Sequence, residues 1–321
     1  MRGTEAYANK YDGLARRRIE KMDDKLMLNG FYNSLIINKS YSSAYVYLSY
    51  IVNFLKNVND ISKIDIDDYN GYLASIKNKS QNSQIDAYHA LQKYSRYLKA
   101  KGMCEDYMAY VERPKFFETQ ETKDKREKGF LTKSEAKKMV KFALASGHKG
   151  DVDAWRYRDF TIITIFLGTG IRCSALFKLD MKDVDLENGT ITVFEKGNKA
   201  RKIYIADNVV DTIREWLNIR ERLLEGTKED ALIISNRKRR METETIRYTI
   251  KRIGKEISGK DITPHKLRAT YGTQLYAKTK DLYFVQECMG HSNPKTTEIY
   301  IRGQKKEASQ RAADLMSGFL E

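Results

Sequence analysis

Apolar side chains recur along the first third of the chain at three- and four-residue intervals, the spacing that gathers them on one face of an α-helix. Tyr45, Leu48, Val52 and Leu55 form one stripe, with Ser40 or Ser42 available as its N-cap. Ile64, Ile66, Tyr69, Tyr72, Leu73 and Ile76 form a second. Ala87, Leu91, Tyr94 and Leu98 form a third, preceded by Ser83 and closed by Gly102. No strand-like alternation interrupts them, so 29–112 reads as a bundle of three or four helices. Ahead of it, 1–28 is polar and helix-prone, and Arg16, Arg17 and Arg18 read as a solvated basic face. From 113 to 129 the apolar period is lost and charges of both signs accumulate, as in an exposed linker.

A second domain, 130–321, reads as mixed. Thr132 to Glu135 offers capping residues for a helix. Trp155 to Gly168 is apolar on most faces, the mark of a buried helix. Thr190 to Phe194 alternates, Arg201 to Ile205 suits a partner strand, and Lys196 to Lys199 lies between them, which predicts a β-hairpin. Val209 to Leu224 is an amphipathic helix, Ala231 to Ile234 a short buried segment, and Glu244 to Ile257 a further helix. The expected fold is mainly α with a small antiparallel β-sheet, in an N-terminal helical bundle and a C-terminal α+β domain.

Composition narrows the function. A length of 321 residues suits two domains, and 41% hydrophobic content argues against global disorder. Lys and Arg number 58 against 43 Asp and Glu, a net charge of +15 that points to a polyanionic partner, nucleic acid ahead of an acidic membrane surface. Cys104, Cys173 and Cys288 are scattered without a CxxC pair, which argues against a disulfide framework or a cysteine zinc site and for a reducing compartment. No apolar signal region opens the chain, and Phe160 to Leu167 is too short to span a bilayer, so a cytoplasmic protein is expected. Neither a GK[ST] phosphate loop nor an acidic cluster of the Mg²⁺-nuclease kind is present, so no cofactor and no metal are expected.

Three local arrangements carry candidate chemistry. Arg172 follows the buried helix at the glycine-flexible turn Gly168-Thr169-Gly170, where a guanidinium can fork two donors onto phosphate oxygens. His265 and Arg268 share one face at the start of a helix capped by Thr263 and Pro264, where free N–H groups favour an anion. Gly290 can close one helix and Ser292 or Asn293 cap the next, which puts His291 at the junction and Tyr300 about two turns on. Two of the chain's four histidines fall in these places.

In this order the pieces resemble the active site of tyrosine recombinases, the phage-integrase and Xer family. Gly290, His291, Thr297 and Tyr300 fit that family's Gly-His-x-x-x-x-x-Thr-x-x-Tyr pattern. Thr169, Gly170, Arg172 and Leu176 fit Thr-Gly-x-Arg-x-x-Glu-Leu, with Ala175 in place of the supporting glutamate, and His265 and Arg268 fit His-x-x-Arg. Lys196 at the hairpin shoulder matches the catalytic lysine, with Lys199, Arg201 and Lys202 close by.

The resemblance implies a core-binding, SAM-like bundle, a catalytic domain, and site-specific recombination of double-stranded DNA without ATP or metal. Tyr300 would attack a phosphodiester to leave a 3′-phosphotyrosyl bond, with His265 as general base or relay. Arg172, Arg268 and His291 would hold the phosphate, and Lys196 would protonate the departing 5′-oxygen. Lys199, Arg201, Arg237, Lys238, Arg239 and Arg240 are candidate DNA contacts. The tail 302–321, with Ala308, Ala312, Leu315 and Phe319 at helical spacing, either packs on its own domain or docks on a neighbour to link a homo-tetramer on DNA. Two other readings stand beside it: a type IB topoisomerase or telomere resolvase with the same chemistry, and a DNA-binding regulator whose site has decayed.

Overall fold

The computed structural model describes residues 2–22, 24–115, 117, 129–145, 152–194 and 200–290. The chain divides into two compact units, Met1–Thr119 and Gln120–Glu321. The first unit holds five α-helices among its described residues: α1 (Arg2–Ile19), α2 (Lys25–Asn38), α3 (Tyr41–Leu55), α4 (Ile66–Ser75) and α5 (Gln81–Ala100). Ser40 caps α3 by accepting from Ser43 N–H, and Ser80, rather than Ser83, caps α5. Leu48, Val52, Leu55, Tyr69, Tyr72, Ala87, Leu91, Tyr94 and Leu98 meet in one core, while Tyr45, Ile66, Leu73 and Ile76 pack half-buried at its edge. Helix α1 also contributes Ala15 and Ile19 to that core. Its basic run does more than face water. Arg16 bonds Asp12 at 3.2 Å, and Arg18 donates to Ser49 Oγ at 2.9 Å on α3. Tyr11, four residues before Ala15, sets its ring 5.8 Å from that of Tyr45, so α1 belongs to the bundle although its many polar and charged residues read as a separate segment.

The second unit is built around α7 (Val152–Thr169), whose Ile162, Ile163, Ile165 and Phe166 are completely buried. Each such side chain is worth roughly 1.5–3 kcal/mol of burial. Helix α6 (Lys133–Ala145) opens with a reciprocal cap between Thr132 and Glu135 and packs on α7. Helix α8 (Cys173–Lys178) leads to a three-stranded antiparallel sheet: β1 (Val184–Asp185), β2 (Thr190–Phe194) and β3 (Ala200–Tyr204) in that order. The expected hairpin is the β2–β3 pair, in register from Thr190↔Tyr204 to Phe194↔Ala200. Ile191, Val193 and Ile203 form its buried face. Strand β1 is too short to register as alternation.

Helix α9 (Asp207–Leu224) buries Trp216, whose Nε1 donates to Leu232 O at 2.8 Å, and Arg220 Nε donates to Ala231 O at 3.0 Å. That is how the buried segment Ala231 to Ile234 satisfies carbonyls that a sheet would otherwise take. Helices α10 (Thr243–Ser258), α11 (Pro264–Thr279) and α12 (Leu282–Met289) complete the described part, and α9, α10 and α11 all pack on α7.

Candidate active site

The end of α7 decides where Arg172 goes. Gly170 takes φ +61 and donates its N–H to Phe166 O at 3.0 Å, a left-handed cap that costs a residue with a Cβ roughly 1–2 kcal/mol. Space demands glycine as well: a Cβ there would lie 2.3 Å from Cδ1 of Tyr271 on α11. Beyond this turn Arg172, half-buried, takes the N-cap position of α8.

Helix α11 delivers the second pair. Thr263 Oγ1 accepts from Lys266 N–H at 3.3 Å, Pro264 fills the first position, and His265 and Arg268 follow a turn apart on one face. Arg268 is buried and donates to Gly170 O and to Met289 O, tying the Arg172 turn to the end of α12. Arg172 reaches the same helix end, with Nη2 and Gly290 O at 3.5 Å. Gly290 closes α12 at φ +61. The partial negative charge of a helix C-terminus explains why two guanidinium groups settle there.

His265 is exposed to solvent. Partial desolvation, then the cations Arg268, Arg247 and Arg172, push its pKa below the ordinary 6.5. Water at its outer surface weakens the first cause, but repulsion by three guanidinium groups acts in the same direction. The imidazole is therefore neutral at pH 7 and able to accept a proton.

Of the six sequence-predicted catalytic residues, the structure brings Arg172, His265 and Arg268 together; Lys196, His291 and Tyr300 lie outside the described residues, as do Lys199 and the tail 302–321. Ala175 is buried on α8, so a methyl group stands where the family pattern has a carboxylate. Arg201, half-buried on β3, donates to Cys288 O at 2.8 Å. The basic run 237–240 divides. Arg240 binds Asp180 and donates to Phe177 O at 2.7 Å, whereas Lys238 pairs with Glu225 and Arg237 and Arg239 are exposed. Among the described residues no group of three or more His, Cys, Asp or Glu is arranged to hold a metal ion, and no helix is long and apolar enough to cross a membrane.

Residues 129–307, more than half of the chain, match the model of the phage integrase family. The chain belongs to the phage integrase family, the tyrosine recombinases. It is 31% identical over 254 residues to tyrosine recombinase XerC of Caldanaerobacter subterraneus subsp. tengcongensis, covering 76% of this chain and 66% of that protein. It is 36% identical over 149 residues to XerC of Escherichia coli (strain K12 / DH10B), covering 46% and 49%. The matches thus span about half to two thirds of these curated relatives. The fold is shared with the XerH site-specific recombinase bound to palindromic difH substrate, at TM-score 0.64 and 24% identity over 85% of this chain and 79% of that one. It is also shared with a lambda integrase tetramer bound to a Holliday junction, at TM-score 0.62 and 17% identity over 85% and 76%.

Three features of this tyrosine recombinase lay beyond sequence reasoning. Arg247, exposed on α10, is charged company for His265 and lies 4.0 Å from Glu244. Tyr271 packs on Gly170; its place one turn after Arg268 was the available signal. Asp159 is buried between Arg158, at 2.8 Å, and Arg252, at 2.9 Å. A charged pair inside the apolar run of α7 marked that network.

Proposed function

We propose that the protein is a site-specific DNA recombinase that cuts and rejoins DNA through a 3′-phosphotyrosyl bond on Tyr300. The observation that carries this reading is the meeting of Arg172, His265 and Arg268, from two distant stretches of chain, at the helix end that runs into His291. In the cleavage step the Tyr300 oxygen bonds to phosphorus as the bond to the 5′-oxygen breaks. His265, neutral at working pH, takes the phenol proton directly or through a relay, and Lys196 supplies the proton that the 5′-oxygen needs. Arg172 and Arg268 hold the non-bridging oxygens as charge builds on them, together with His291. The phosphotyrosyl bond keeps the energy of the original linkage, so strand exchange through a Holliday junction requires no ATP.

The helical unit Met1–Thr119, α1 included, serves as a core-binding arm on DNA, and 130–321 is the catalytic domain, acting in the cytoplasm. The tail 302–321 links protomers into a tetramer on paired sites, by analogy with the integrase tetramer on a Holliday junction. Ala175 favours one second reading, a DNA-binding regulator with a weakened site.

A nicked suicide substrate separates the two. The wild-type protein is expected to accumulate a covalent protein–DNA adduct, and Tyr300→Phe to bind the site with unchanged affinity and form none. Adduct from the phenylalanine variant, or none from the wild type on its own recovered site, overturns the proposal.

A further inference from the structure

The arginines of the cluster differ in what they already hold. Arg268 is buried and donates to Gly170 O and Met289 O, and Arg172, half-buried, sets Nη2 3.5 Å from Gly290 O. Both spend donors on the main chain that keeps the site together. A third guanidinium arrives from a different element: Arg247 on α10, whose side chain is more than half exposed.

Packing explains how it gets there. The Cys173 thiol donates to Thr243 O at 3.9 Å, so the first turn of α10 lies against the first turn of α8, where Arg172 takes the N-cap position. Thr243 and Arg247 are four residues apart and share one face of α10. Arg247 lies close enough to act on groups from both halves of the site. It works against the burial that lifts the Cys173 thiol to about 11, and it adds to the desolvation and to Arg268 in lowering His265. Its ion pair with Glu244, one turn earlier, is 4.0 Å long and equally exposed, the kind of surface pair that contributes little and yields to a stronger anion. With Ala175 on α8 adding no negative charge, three guanidinium groups gather around a neutral imidazole, and a phosphate relieves their repulsion.

We propose that Arg247 is a further catalytic residue of DNA cleavage: from the solvent side it donates to a non-bridging oxygen of the phosphate under attack, alongside Arg172 and Arg268. His265 and Arg247 are both exposed, so a duplex that reaches one meets the other. The proposal rests on the phosphotyrosyl reading and adds to it a residue outside the three motifs of the family pattern.

Attack on a phosphodiester builds negative charge on both non-bridging oxygens. A methylphosphonate has a methyl group in place of one of them and carries one charge fewer, so a cation held there has less to stabilise. Single-turnover adduct formation at saturating protein is measured on matched suicide duplexes of the site recovered from wild type. These carry at the cleaved position either the phosphodiester or one methylphosphonate diastereomer. The pH is about 8, well above the imidazole's ordinary range, so that His265 is neutral in every variant. The proteins are wild type, Arg247→Gln and Arg247→Lys, each checked for folding by circular dichroism.

Arg247→Gln is expected to slow the phosphodiester by about ten- to a hundredfold, the effect of one hydrogen bond from a charged donor, and at least one methylphosphonate by less than about threefold. Arg247→Lys, which keeps the charge but not the fork, should fall between, and it carries the comparison should the glutamine variant not fold. Wild-type rates from both variants on the phosphodiester leave Arg247 a solvated partner of Glu244 and overturn the proposal. The same slowing on the phosphodiester and on both methylphosphonates places the effect away from the phosphate and overturns it too. A wild type that forms no adduct on its own recovered phosphodiester site overturns the recombinase reading, and this inference with it.

Discussion

Replacing Gly170 by alanine disturbs two things that the structure keeps separate. The first is backbone conformation. At φ +61 a Cβ raises the local energy by roughly 1–2 kcal/mol. The second is space, since the added methyl would meet Tyr271 Cδ1 at 2.3 Å and Cε1 at 3.0 Å, on a ring rather than on the loose end of a flexible chain. Overpacking of that kind costs about 1–3 kcal/mol, for a sum near 2–5 kcal/mol. In a domain of this size each kcal/mol shifts the melting temperature by about 2–4 °C, so the catalytic unit should melt roughly 4–20 °C lower. Calorimetry following the catalytic unit reads this directly. Cleavage by the variant, assayed well below its melting temperature, should fall as well, because Gly170 O is an anchor of Arg268 and Arg172 follows the turn.

A double-mutant cycle with Tyr271→Ala separates the two causes. The steric part, about 1–3 kcal/mol, should appear as coupling, while the conformational part remains in the double variant. A Gly170→Ala protein that melts within 2 °C of wild type and cleaves at the wild-type rate would refute this account of the turn.

Two further perturbations test other parts of the molecule. Asp159→Asn leaves the buried Arg158 without its carboxylate and should cost about 3–5 kcal/mol in urea unfolding, while Arg252→Met, at the more exposed end of the network, should cost less; a loss below 1 kcal/mol for Asp159→Asn contradicts the assigned network. For His265 the depressed pKa means that the base form survives to lower pH, so the acid limb of the cleavage rate should lie below 6.5 and move upward in Arg247→Gln. By the same sign, stability owed to this histidine is present above 6.5 and lost as pH falls toward the lowered value. An unmoved limb in Arg247→Gln means that this arginine does not act on the imidazole.

Much of the architecture was legible because its causes are short-range. The stripes of α3 to α5, the apolar run of α7, the β2–β3 alternation and the Thr263-Pro264 start of α11 each express a contact or a cap within a few residues, and each appears where the pattern put it. The candidate cluster was legible for the same reason, as residue types at fixed local spacing around Arg172, His265 and Arg268. What the pattern could not express is who meets whom. Arg240 and Arg201 look like free surface charges in the sequence, yet one binds Asp180, 60 residues away, and the other Cys288 O, 87 residues away. Helix α1, polar along most of its length, joins the bundle through Tyr11, Ala15, Arg18 and Ile19, and Tyr271 dictates a glycine about a hundred residues earlier in the chain. Local sequence sets the conformation of a segment through hydrogen bonds and side chains a turn apart. The partners of a long, charged side chain depend on which distant backbone the packed core brings within reach, and only tertiary structure decides that.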